Sequence, residues 1–286
     1  MAVNRLDNNS DIPVVPEIVI VPRRSWLHLE LIDLWRFREL LYFLAWRDIK
    51  VRYKQTALGV VWVILQPVLT MLIFSLIFGR VAGLPSEDVP YPVFVFAGLV
   101  PWQLFAYALT QSSTSLVNDQ HLVTKIYFPR LVIPVASVIA GLLDFLISLV
   151  VLLGLLLFYR IPLTWRVLTL PVFGFLALAA AIAVGLWLSA LNVQYRDVRY
   201  ALPFLTLFWM YATPIAYSSS LIPANLKMIY SLNPMVGVVE GFRWALLGVD
   251  NTPGIMVLIS IVMISILSIG GVVYFKRMED QFADVI

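Results

Sequence analysis

The chain has 286 residues, 61% of them hydrophobic and 13% charged, with a formal net charge of +3. A soluble domain carries roughly a quarter charged residues; half that share, with a mean hydropathy of +0.89, excludes an ordinary water-soluble fold, and so small a net charge makes no case for nucleic acid. Cysteine is absent, which removes disulfides and thiol chemistry, and the two histidines, His28 and His121, stand in no metal-ligand spacing.

Residues 1–24 hold Asp7, Asp11, Glu17 and several prolines ahead of any long apolar run. They lack the basic-then-apolar order of a cleavable signal and read as a poorly ordered cytosolic tail. The rest, 25–286, reads as one all-α integral membrane domain. Residues 33–50 mix apolar side chains with Arg36, Arg38, Glu39 and Arg47. At ~100° per residue most of the charges share a sector, which predicts a helix lying in the cytoplasmic interface.

Six segments then approach the ~20 apolar residues that a spanning helix needs. They are 57–78, 94–116, 131–158, 168–191, 200–217 and 255–274, the fifth being short and interrupted by Pro203 and Pro214. With the N-terminus inside, the cytoplasmic segments hold 15 of the 20 Lys and Arg residues. That asymmetry predicts both termini in the cytoplasm. Between spans five and six, 218–252 contains two apolar stretches split by Asn233-Pro234, each too short to cross. They read as re-entrant half-helices in the outer leaflet, which survive only when packed on protein or lining a wet cavity.

No Gly-x-x-x-x-Gly-Lys-Ser/Thr phosphate loop occurs, so ATP and Mg, if used, belong to a partner; the chain itself calls for no cofactor and no catalytic or metal residues. Asp144 lies near the middle of span three. A carboxylate there must face the bundle or water, either as a proton relay or substrate contact or as a packed group hydrogen-bonded to a neighbouring helix. Arg47, Lys50, Arg52 and Lys54 anchor the first span on the inside; they also suit capture of an anionic lipid headgroup at the entrance. Trp62, Phe74, Phe78, Phe105, Phe204, Phe208, Trp209 and Tyr211 lie within spans one, two and five. Their rings could stack on sugars along a path or simply pack. The segment 117–128, with His121, Leu122, Val123, Lys125, Tyr127 and Phe128, reads as a short cytosolic helix or loop.

Five blocks carry a family likeness: RDIKVRYKQTALGVVWVILQPVLTM (47–71), GLVPWQLF (98–105), LVTKIYFPRLVIP (122–134), NVQYRDVRY (192–200) and SLNPMVGVVEGFRWALLG (231–248). In this order they resemble the permease subunits of ABC-type polysaccharide and polyol-phosphate exporters, which export O-antigens, capsules and teichoic acids. The resemblance covers about 35–280. It implies a six-span homodimer in a bacterial inner membrane, working with two copies of a nucleotide-binding ATPase subunit and moving a lipid-linked glycan. It further implies an interface helix at 33–50, a coupling helix at 117–128 that docks the ATPase, and outer gate helices at 220–247. A permease for drugs or small lipids is the nearest rival. A secondary transporter predicts internal repeats or several intramembrane charges, and a membrane enzyme predicts converging His, Asp or Glu side chains.

Overall fold

The computed structural model describes residues 31–54, 59–126, 128–248, 254–279 and 281–282. The expected tail over 1–24, and Tyr127 among the expected coupling residues, lie outside them. Regular structure among the described residues is all helical.

The chain enters through α1 (Leu31–Arg36) and α2 (Arg38–Lys54), joined at Phe37. The helix expected over 33–50 thus runs four residues beyond that end and carries Arg47, Lys50, Arg52 and Lys54. Helix α3 (Gly59–Phe74) passes into a π-helical stretch, Ser75–Val81. Helix α4 (Tyr91–Asn118) starts with Pro92 in its first turn, where a missing N–H costs nothing. A short α5 (Gln120–Lys125) leads into α6 (Val132–Phe158). After a 3₁₀ turn, Trp165–Thr169, follow α7 (Leu170–Gln194) and α8 (Val198–Tyr211). Two shorter helices, α9 (Ala224–Tyr230) and α10 (Pro234–Leu247), precede α11 (Gly254–Glu279).

Among the described residues, five helical segments are long and apolar enough to cross a bilayer: Gly59–Val81, Tyr91–Asn118, Val132–Phe158, Trp165–Gln194 and Gly254–Glu279. The expected fifth span differs. Its helix, α8, has 14 residues, a rise of ~21 Å at 1.5 Å each, short of a ~30 Å hydrocarbon core. It stops at Tyr211 ahead of Pro214, whose ring and missing N–H oppose continuation.

Helix α4 is the hub, buried at every position from Val93 to Trp102 and packed by α3, α6, α7 and α10. Small residues on α7, among them Ala177, Ala180, Ala181 and Ser189, are fully enclosed and let α4 and α11 approach closely. Helix α10 is buried along most of its length. At Gly241 a Cβ would fall 2.0 Å from the Phe173 ring, so only glycine allows that packing. A second apolar cluster sits at the end of the bundle that holds α5, where Leu44 and Ala45 of α2 meet Leu116, Val123, Phe128 and Phe275. Outward faces of α6 and α11 are leucine, valine and isoleucine, as at Leu146, Val150, Leu258 and Ile266. Such a face would be costly in water and suits the hydrocarbon of a bilayer.

Candidate functional site

The basic residues of α2 divide between two faces. Arg47 turns inward and pairs with Asp119 at 2.8 Å and with Asp48 at 2.8 Å. The Asp119 hydrogen bond holds the Arg47 guanidinium above its ordinary range, whereas burial pushes the Asp48 carboxyl up. Asp119 sits immediately before α5, so the interfacial helix is ionically tied to the root of the expected coupling element. Arg52 also turns inward, pairing with Asp144 at 2.6 Å and lying 4.3 Å over the Tyr107 ring. Lys50 and Lys54 remain exposed, with Lys50 set against the Trp46 ring at 5.6 Å.

Asp144 therefore has two partners, both from α2, since the Tyr53 hydroxyl also donates to it. This is the packed-carboxylate arrangement; its cation comes from the interfacial helix rather than from another span. The pair also places α2. Asp144 lies twelve positions into α6, ~18 Å along its axis, so the C-terminal end of α2 rises alongside α6. Within the expected charged sector Arg36, Glu39, Lys50 and Lys54 are exposed, whereas Arg47 is half-buried against Asp119; Tyr42 and Phe43 of α2 are exposed as well.

Two clefts flank this helix. One of about 550 Å³ is polar, lined by Arg47, Asp48, Arg52, Tyr107, Gln111 and Ser137. The other, of about 660 Å³, lies between Trp46, Lys50, Tyr53 and Lys54 on one side and Leu143 and Ile147 on the other. A hydrocarbon-lined groove with lysines at its rim has the chemistry of a lipid tail and its anionic head.

The expected coupling residues also separate by face. His121 and Lys125 are exposed, Leu122 is half-buried, and Val123 and Phe128 are buried anchors in the second apolar cluster. Ile126, 56% exposed beside Lys125, adds an apolar contact point that the sequence reading passed over.

Among the aromatics, Phe105 and Phe74 are enclosed in the core. Phe78 packs edge-on against Phe74 with ring centres 5.4 Å apart, and Trp209 packs likewise on Phe105 at 5.0 Å. Trp62, Phe204, Phe208 and Tyr211 present their rings outward, the last three along one face of α8.

The opposite end of the bundle, around α10, holds a group that sequence reasoning missed. Arg243, a charge within the segment 218–252, is 1% exposed. It donates to the carbonyls of Ile215 at 2.7 Å, Phe94 at 3.3 Å and Tyr217 at 3.3 Å, pairs with Glu240 at 3.3 Å, and stacks on the Phe94 ring at 3.6 Å. Gly98 leaves the room, since a Cβ there would lie 3.1 Å from the guanidinium. Nearby, Asn233 caps α10 through Met235 N, donates to Ala212 O and Thr213 Oγ1, and accepts from Trp209 Nε1 at 2.8 Å. The two side chains fasten the loop after α8 to α10. A polar residue at the head of an apolar run was visible in Asn233-Pro234; nothing local marks Arg243 as buried.

Known proteins resemble this chain along most of its length. An O-antigen export system permease protein RfbA from Myxococcus xanthus is 30% identical over 258 residues, spanning 89% of this chain and 98% of that protein. One of the same name from Klebsiella pneumoniae is 31% identical over 253 residues, 87% of this chain and 95% of its own. A polysialic acid transport protein, KpsM of Escherichia coli, is 27% identical over 215 residues, 70% of this chain and 78% of its own. The family described as ABC-2 type transporter matches residues 39–247, and the chain belongs to that family of transporter membrane proteins.

Proposed function

We propose that this chain is the membrane-spanning subunit of an ATP-driven exporter that moves a lipid-linked polysaccharide, of O-antigen type, across a bacterial inner membrane. The observation that carries the reading is a match of 30–31% identity over nearly the whole length of two relatives named as O-antigen export permeases. Two features accord with it. The interfacial helix offers a lysine-rimmed apolar groove suited to a lipid pyrophosphate and its tail, and α8 offers outward aromatic rings suited to sugar faces.

Two copies of the chain would form the pathway, each docking one copy of a separate ATPase that binds ATP and Mg. The docking surface would be the exposed side of α5, with His121, Lys125 and Ile126 outermost. ATP-driven approach of the ATPase subunits would push α5. The Arg47–Asp119 pair would then pass the movement to α2, and the Arg52–Asp144 pair from α2 to α6. In this reading α8 and the turn after it complete a sixth crossing. Both termini are then cytoplasmic, and α9 and α10 close the outer side as re-entrant helices.

Depleting the protein in its own cells and locating the lipid-linked glycan tests the proposal. Glycan trapped on the cytoplasmic face and lost from the surface is the expected result. An unchanged surface glycan with no trapped intermediate would overturn it in favour of a permease for a smaller substrate.

A further inference from the structure

From Val93 to Leu116, neighbouring elements enclose α4 at every position but six: Gln103, Ala106, Tyr107, Thr110, Gln111 and Thr114. At ~100° per residue these fall within a sector ~140° wide, and five of the six are polar. A span whose open face met lipid tails would carry apolar residues there, as α6 does at Leu146, Val150 and Leu157, because hydrocarbon cannot replace the hydrogen bonds an amide makes to water. The hydroxyls of Thr110 and Thr114 donate to the carbonyls of Ala106 and Thr110 at 2.8 and 3.0 Å, leaving their oxygens able to accept. The amides of Gln103 and Gln111 make no hydrogen bond to any described residue. At its cytoplasmic end the face opens into the polar cleft of about 550 Å³ flanked by Arg47 and Arg52.

The geometry points to this face of α4 as a contact surface for the hydroxyls of a glycan, running ~16 Å from Thr114 to Gln103; it rests on the export reading above. Amides and hydroxyls both donate and accept, as sugar hydroxyls do, so partners can be exchanged as a chain slides. The stripe carries no fixed charge that would hold one position. The substrate class is a neutral or weakly charged polysaccharide rather than a hydrophobic small molecule, for which five polar side chains would be a desolvation cost.

Because the chain has no cysteine, single variants report on this face directly in cells with the complete exporter. Gln103→Cys, Thr110→Cys and Thr114→Cys, with Leu146→Cys and Val150→Cys as lipid-facing controls, are treated with a membrane-impermeant maleimide. The stripe variants are expected to react at least about tenfold faster than the controls. They should slow by about fivefold when glycan is held on the exporter by a partner ATPase that binds but does not hydrolyse ATP, compared with cells that make no glycan. Reaction as slow as in the controls, or disulfides forming between two copies at these positions, would make the face a packed contact and overturn the proposal. Fast reaction indifferent to glycan would overturn it too, with the export reading left standing. Failure of the depletion experiment would remove the export reading whatever the labelling showed.

Discussion

Asp144 and Arg243 are the charges a membrane protein can least easily strand, and each has more than one partner. Removing one member of a largely buried pair leaves the other charge uncompensated, which costs more than the pair contributes. Asp144 keeps 17% of its side-chain surface and Arg52 37%, so screening discounts the effect. Asp144→Ala should destabilise the protein in detergent by ~1–2 kcal/mol. The swap Arg52→Asp with Asp144→Arg should recover most of that loss in thermal melts, an outcome a proton-relay role for Asp144 would not allow for export. Arg243 has no such discount. Its fork serves three carbonyls, one carboxylate and an aromatic face, a pattern that a lysine point charge cannot reproduce. Arg243→Lys should cost ~3 kcal/mol or more, read as loss of folded protein at the temperature where the native chain survives.

At the scale of elements, α5 and α2 separate anchoring residues from working ones. Val123 is buried and Lys125 exposed, so the two test different things. Val123→Pro breaks the helix and its anchor together, whereas Lys125→Glu leaves the packing alone. Lys125→Glu should leave ATP hydrolysis by the partner running while glycan export falls; unimpaired export in that variant would remove α5 as the coupling element. Along α2, Arg47 and Arg52 are committed to Asp119 and Asp144, and Lys50 and Lys54 are the exposed pair. Lys50→Glu with Lys54→Glu should weaken substrate capture in binding assays on membranes while melting is unchanged. Capture that persists with normal topology would reduce these lysines to membrane anchors. A helix ahead of the first long apolar run was legible from its mixed polarity. Its true extent, and which of its cations face inward, were not, because the acids that draw Arg47 and Arg52 lie 72 and 92 positions away in the chain.

For the whole molecule, orientation rests on charge. The positive-inside count predicts that Thr124, beside Lys125, and Asp88, in the turn before α4, lie on opposite sides of the membrane. In the cysteine-free background, Thr124→Cys should react with an impermeant thiol reagent only in inverted vesicles, and Asp88→Cys only from outside intact spheroplasts. Reaction of both from one side would overturn the topology, including the sixth crossing assigned to α8.

The sequence by itself determined that the chain lives in lipid, that long apolar helices carry it, that Asn233-Pro234 separates two short outer helices, and that its blocks belong to an exporter permease. These are properties of composition and local order, and a run of some twenty apolar residues has one low-energy state in a bilayer. Tertiary structure alone decided the fate of individual side chains. Phe74 and Phe105 read the same as Phe204 and Phe208 in the chain, yet the first two are enclosed and the last two face outward. Arg243 reads as a charge within the segment 218–252 until Phe94, Ile215 and Tyr217 surround it. The polar face of α4 is spread over about three turns of sequence and becomes a surface only when its neighbours have covered everything else. Which way a side chain points is fixed by contacts between segments far apart in the chain, and those contacts exist only once the helices have packed.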